Sequence, residues 1–310
     1  MIIEHVTELN GKPLDAESFL LLLRRSNPYW WRDGDTDTPW VFRGHWDANW
    51  PLIPSAWRNN SPLIRLKKAI ASQCPELLNS YGTGAQREMA LLNLAEIEAI
   101  FQFANLAESL GANIPAEVLH HSVSPLLAIN GGYSIGMQDN GIVQKVGPLA
   151  QHHGIPTSLI DWTFNPYFAA YFAVGRGFRV DYLPDNICVW AVNTNRLNFQ
   201  FFHELPENKQ IQIDVYKVPR HSNEYLSAQQ GLFTHSSDYQ GYRNPLELLI
   251  ESWPSAPSYS PDGPVLRRIV LNASQADELL KLLDREGINE ASLMPSFDKV
   301  AQTVKDRWQY

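Results

Sequence analysis

The chain has 310 residues and a formal net charge of -8, a length that can bury a large core without staples and a balance that argues against a broad basic face for nonspecific nucleic-acid binding. Its two cysteines, Cys74 and Cys188, have neither disulfide nor metal-ligand spacing, and Cys188 lies in the apolar run Ile187-Cys188-Val189-Trp190, the setting of a buried, inert thiol in a reducing compartment. The start of the chain lacks a basic region followed by an apolar block, and no run approaches the roughly 20 apolar residues of a membrane span, so a soluble cytoplasmic protein without a membrane partner is expected.

In chain order, Asp15 to Arg25 predicts a short helix, and Asn27 to Pro39 a loop with a Trp30-Trp31 pair and a solvated acidic cluster over Asp33 to Asp37. Trp40-Val41-Phe42-Arg43-Gly44 reads as a strand ending at glycine, which places Arg43 near a strand terminus; His45 to Pro54 follows as an irregular segment. Met89, Leu92, Ile97, Ile100, Phe101 and Ala104 recur at helical spacing, predicting a core helix from Gln86 to Leu110 that Gly111 ends. A second helix is expected over Ala116 to Leu127, then a glycine-bearing connector over Asn130 to Asn140. Asn165-Pro166 reads as an N-cap and first-position proline for a helix carrying Phe168, Ala169, Phe172 and Ala173. Ile187 to Val192, Ile211 to Val215 and Leu266 to Leu271 are strand candidates; Gln229 to Thr234 reads as a strand entered from a polar loop, and Leu246 to Ile250 as a strand or short helix. Ser274-Gln275-Ala276-Asp277 has the form of a capping box opening an amphipathic helix that Gly287 closes. Strands and helices alternate irregularly, so an α+β fold with a mixed sheet is expected rather than a repeating βαβ array.

The densest chemistry lies in Gln151-His152-His153-Gly154-Ile155-Pro156-Thr157-Ser158-Leu159-Ile160-Asp161-Trp162-Thr163. Gly154 and Pro156 predict a polar loop, and the helix after it offers an N-terminus that favours an anionic group. The plainer reading is a tight turn whose Thr157, Thr163 and Asp161 side chains satisfy backbone donors. Among the many aromatic residues, only those in polar loops, such as Trp46 and Trp162, qualify as stacking surfaces. Adjacent His152 and His153 on an extended chain would point to opposite faces and have no further His or Cys at ligand spacing, so no metal is expected. One of them could serve as a general base or hydrogen-bond donor near neutral pH.

Two separated motifs carry a resemblance. Val41-Phe42-Arg43-Gly44-His45, with Leu52-Ile53-Pro54-Ser55 and Arg58 behind it, resembles the opening of the FRG domain, named for its Phe-Arg-Gly signature. Gln151 through Thr163, continuing to Asn165-Pro166 and Phe172-Ala173, is similar to that family's central block. Gln230-Gly231-Leu232-Phe233-Thr234 resembles its third element, and Gly287-Ile288-Asn289 with Leu293-Met294-Pro295 its C-terminal signature. The likeness runs from about residue 40 to 300. It implies an N-terminal helical and loop extension over residues 1–39, an FRG domain over 40–300 that includes a helical insertion at 86–130, and a tail at 301–310.

A second resemblance is to ADP-ribosyltransferases of the arginine-serine-glutamate class, which open their catalytic sheet with an aromatic-Arg-Gly strand and follow it with a Ser-Thr-Ser element. Val41-Phe42-Arg43-Gly44 and Thr157-Ser158 are similar. The likeness implies a partly split sheet with an ADP-ribosyltransferase-like core, and NAD as the nucleotide bound. Arg43 would then pair with the pyrophosphate through its planar donor fork, and Thr157 or Ser158 would hold the ribose. Gly44, His45, His153, Asp161 and Trp162 would complete the cofactor site. Catalysis also requires a carboxylate that steadies positive charge as the nicotinamide bond breaks. At that place the chain has Gln229 and Gln230, which lack charge; Glu224 is the nearest substitute, with Glu247 and Glu251 further away. The catalytic set implied is Arg43, Ser158, Gln230 and Glu224.

The resemblance implies a protein that uses NAD to modify a protein or nucleic-acid acceptor in a toxin or phage-defence setting. The alternatives are a noncatalytic module that recognises a nucleotide or phosphorylated partner, which the glutamines favour, and a nuclease, for which the acidic metal cluster is lacking. For Arg43 itself the competing role is that of a structural ion-pair partner for Asp161.

Overall fold

The computed structural model describes residues 3–31, 39–73, 84–112, 114, 142–174, 182–200, 211–217, 231–238, 245–251 and 263–308. In chain order these form β1 (Ile3–Val6), a small hairpin of β2 (Glu8–Leu9) and β3 (Lys12–Pro13), α1 (Ala16–Leu23), β4 (Trp40–His45), α2 (Leu63–Gln73) and α3 (Gly84–Ser109). Then come α4 (Ile142–Lys145), α5 (Gly147–His152), β5 (Leu159–Thr163), α6 (Pro166–Ala173), β6 (Asn186–Asn193), α7 (Thr194–Gln200), β7 (Ile211–Tyr216) and β8 (Gly231–Asp238). The remainder is α8 (Leu246–Glu251), β9 (Leu266–Asn272), α9 (Ala276–Arg285), α10 (Glu290–Leu293) and α11 (Phe297–Arg307).

Seven strands make one sheet in the order β1-β9-β6-β4-β5-β8-β7. Every neighbouring pair is antiparallel except β1 with β9. The apolar run of β6 explains its central place, because both of its faces are covered. Ile187, Val189 and Ala191 pack with α1, α6 and α9 on one side, while Cys188, Trp190 and Val192 join Leu52, Leu246 and Ile250 on the other. Strand alternation delivers those two sets from one segment. A third apolar cluster, Ile100, Val143, Val146 and Ala150 against Leu159 and Phe233, seats α3, α4 and α5 on β5 and β8.

Sequence and structure agree on α+β, on β4, β6, β7 and β9, and on the long helix, which Gly111 follows at a φ of 80°. Asn165 caps α6 by accepting the amide of Tyr167, with Pro166 in the first turn. Four local expectations change. Leu159 to Thr163 is a strand, not part of a loop: Ile160 and Trp162 face one core while Leu159 faces another, an alternation that the neighbouring polar residues obscure. Gln151 and His152 end a helix rather than open a loop. The capping box at Ser274 does not form; Asn272 instead accepts the amide of Ser274 and caps a short turn ahead of α9. Ile3 to Val6, for which no strand is expected, pairs with β9, and Phe19, Leu23 and Trp30 enter the same core as α6 and α9. The expected helix over Ala116 to Leu127 lies outside the described residues. Among the described residues no helix is long and apolar enough to cross a membrane.

Candidate functional site

The site begins where the sheet stops closing. β4 shares six residue pairs with β6, from Trp40↔Asn193 to His45↔Cys188, but only Phe42↔Thr163 with β5. A cavity of about 400 Å³ occupies this opening, and consecutive residues of both strands line it: Phe42, Arg43 and Gly44 from β4, Asp161, Trp162 and Thr163 from β5. Residues of both strand faces can reach one cavity only where the ladder between them is open. Ser55 and Arg58, the end of α5, the Gly154–Pro156 turn, α6, Gly231 and Phe233 of β8, and Met294 supply the remaining walls.

Across the opening runs a chain of side-chain hydrogen bonds. Arg43 donates from Nε to Nε2 of His45 at 3.1 Å and from Nη1 to the backbone oxygen of Asp161 at 3.0 Å, and it pairs with the Asp161 carboxylate. Gln151 donates to that carboxylate at 3.0 Å and accepts from the Thr157 hydroxyl. His45 is buried, with Nδ1 3.2 Å from the oxygen of Trp50. Nε2 accepts from Arg43, so the proton sits on Nδ1 and the ring is neutral. Burial, reinforced by the adjacent charge of Arg43, pushes its pKa down to about 3. Desolvation, the largest single influence on Asp161, raises its pKa; the charge and hydrogen bond of Arg43, its own backbone and Arg58 together outweigh it and hold the carboxyl below the usual range.

Arg58 supplies a second guanidinium to the cavity wall. Desolvation and then the like charge of Arg43 lower its pKa, Asp161 opposes this, and among the described residues its side chain makes no hydrogen bond or ion pair. An arginine remains charged under these conditions. His152, also on the wall, is pulled below its ordinary value by desolvation and by His153. Among the described lining residues, two guanidiniums therefore face one carboxylate, leaving an excess of positive charge suited to an anion.

The expected residues divide into three groups. Arg43, Gly44, Asp161 and Trp162 line the cavity. Trp162 is held from behind, its indole N–H donating to Thr234 Oγ1 at 2.9 Å. Gly44 is there for clearance: a Cβ on it would lie 2.0 Å from the backbone oxygen of Ala169 and 2.5 Å from the amide of Ala173, so α6 rests directly on β4. His45, Thr157, Ser158 and His153 stand outside the lining. The hydroxyl and amide of Ser158 both go to Oε1 of the buried Glu96, at 2.9 and 2.7 Å, and Thr157 is buried, its amide bonded to Ser55 at 3.1 Å. His153 is exposed, stacked on Phe103 at 6.0 Å and edge-on to His152 at 5.2 Å, so the two histidines are neighbours at a helix end rather than on opposite faces of an extended chain. Glu224, Gln229 and Gln230 lie outside the described residues, as does the side chain of Glu251. Glu247 accepts the Leu52 amide with both oxygens, at 3.2 and 3.0 Å, and fixes a loop.

Sequence reasoning passed over Glu96 and left Arg58 without a role. The signal for the first was a carboxylate within the apolar face of a core helix, and for the second its place in the quoted Ser55–Arg58 stretch. Among the described residues no group of three or more His, Cys, Asp or Glu could hold a metal ion. Nothing among curated proteins or solved structures matches the chain. The model of the FRG domain matches residues 137–181, the span that carries α5, β5 and α6 and with them Gln151, His152, Asp161 and Trp162, so the chain is similar to the FRG domain across this central part of the site.

Proposed function

We propose that the opening between β4 and β5 binds a nucleotide through its phosphates, with NAD as the leading ligand. The observation that carries this reading is that Arg43 and Arg58 both line the cavity, while among its described lining residues Asp161 alone brings a carboxylate. A planar guanidinium fork suits a pyrophosphate, and Phe172, the partly exposed ring of the lining, suits a base or a nicotinamide ring; Phe42, Phe233 and Trp162, which was expected as a stacking surface in a loop, are buried in the cores on either side of the sheet. Arg43, Thr157-Ser158 and the third motif belong to neighbouring strands β4, β5 and β8 or to their entrances, the order that the ADP-ribosyltransferase resemblance calls for, and on that resemblance the further step is ADP-ribose transfer to a protein or nucleic-acid acceptor in a toxin or phage-defence role. Millimolar NAD is expected to raise the melting temperature, and Arg43→Ala or Arg58→Ala to remove that rise; an unchanged melting temperature in the parent protein refutes the reading.

A specific observation favours a second reading, a nucleotide-sensing module without chemistry. The Ser158 hydroxyl is engaged by Glu96, and the only described lining carboxylate is engaged by Arg43. Labelled NAD offered with protein and nucleic-acid acceptors separates the two: binding with no label transferred selects sensing.

A further inference from the structure

Helix α11 is fastened by one side and bare on another. Thr303 is buried and its hydroxyl accepts the Ala291 amide at 3.2 Å; Lys299 pairs with Glu290, and Arg307 donates to both oxygens of Asp284 at 2.8 and 2.9 Å. On the solvent side Phe297, Val300, Val304 and Trp308 are 95%, 49%, 41% and 77% exposed. At about 100° per residue these four and Ala301 make one stripe. Scattered apolar side chains on a surface are ordinary, but an unbroken row on an anchored helix marks a contact.

Two features select the occupant. The stripe reads ring, valine, valine, ring, so a reversed copy of itself sets ring against ring and valine against valine. Asp298 and Lys305 lie seven residues apart on the same flank of the stripe and, among the described residues, neither makes an ion pair or side-chain hydrogen bond. In an antiparallel helix pair each flank faces its own counterpart, which brings Asp298 beside Lys305 of the partner subunit, and the converse by symmetry. A parallel copy would set like flanks apart and lose both pairs. We propose that α11 is a self-association surface through which two copies of this chain pair antiparallel about a two-fold axis near Ala301 and Gln302. Three turns of helix bury far less than the roughly 1,200 Å² of a stable interface, so the dimer is weak and concentration-dependent.

Sedimentation equilibrium of the whole chain is expected to show the mass rising from 35.2 kDa toward twice that value with concentration. Val304→Asp should hold it at the monomer mass with an unchanged melting temperature, Asp298→Lys or Lys305→Asp alone should weaken association at least tenfold, and the double exchange should restore it. A chain that stays monomeric at its highest soluble concentration, a dimer that survives Val304→Asp, or a double exchange that does not recover overturns the proposal. Orientation is tested in a Cys74→Ser background, where Ala301→Cys should give a disulfide-linked dimer and Phe297→Cys should not; Cys188 is buried and does not interfere. Self-linking of Phe297→Cys would mean parallel pairing and would overturn it as well.

Discussion

Along one edge β4 is joined to β6 by a ladder of six residue pairs, and along the other it shares one pair with β5, where the Arg43 side chain bridges to Asp161 and Gln151 supports that carboxylate from the β5 side. The first edge has no room for anything but backbone. The second is held by polar side chains that a ligand can engage in their place, at little cost to the main-chain ladder. A closed ladder thus makes a wall and an interrupted one makes a receptor, and both are built on the same six-residue strand.

The strongest way to break this arrangement is at the face of β4 on which α6 rests. Gly44→Ala would drive a methyl group into the α6 backbone, which cannot move as a side chain can; a loss of about 3 kcal/mol or more is expected, read as a large fall in melting temperature. Acid should act next. His45 is neutral when folded and titrates near 6.5 when unfolded, so its contribution is complete above that value and declines as pH falls toward about 3. The decline amounts to a few kcal/mol, and His45→Gln should flatten the melting temperature across this window. Asp161, whose folded pKa is lowered from 3.8, works in the same direction but over a more acidic range, contributing above 3.8 and losing that contribution as pH falls further.

Arg43→Ala should cost about 1–2 kcal/mol, because water screens the half-exposed carboxylate left behind while the buried Nε2 of His45 loses its donor; its larger effect is the loss of nucleotide binding. The subtlest change is Asp161→Asn. It removes the internal counterion while keeping the shape, and about a tenfold tighter binding of inorganic pyrophosphate by calorimetry is expected. Weaker binding would mean that Asp161 orients Arg43 for the ligand rather than competing with it.

What the sequence revealed follows from how each element is stabilised. β6 is buried by a continuous apolar run, β9 by Leu266, Ile269 and Leu271 around its two arginines, and α3 by apolar residues at helical spacing, and such patterns are visible without coordinates. β5 was hidden because its core residues Leu159, Ile160 and Trp162 are interleaved with Asp161 and preceded by His, Thr and Ser, the composition of a loop. The meeting of Arg43 with Asp161 was foreseeable as an ion pair of opposite charges in two polar motifs. The grip of Glu96 on Ser158 was not, since 62 residues separate them and a carboxylate on the apolar face of a helix does not by itself name its partner. Arg58 entered through a quoted motif, but its position on the cavity wall depends on the path of the chain after β4, which composition does not encode.

The missing methyl group at Gly44 decides which part of the receptor can yield. With backbone seated on backbone there is no compressible layer between α6 and β4, so Ala169 and Phe172 travel with Arg43 as one fixed jaw. The opposing jaw is the short turn through Gly154, at a φ of 90°, to Pro156, tied down mainly by Gln151 and Thr157. Any clamping on a guest must come from that turn, and residues 153 to 156 are where a tighter or looser grip would be engineered.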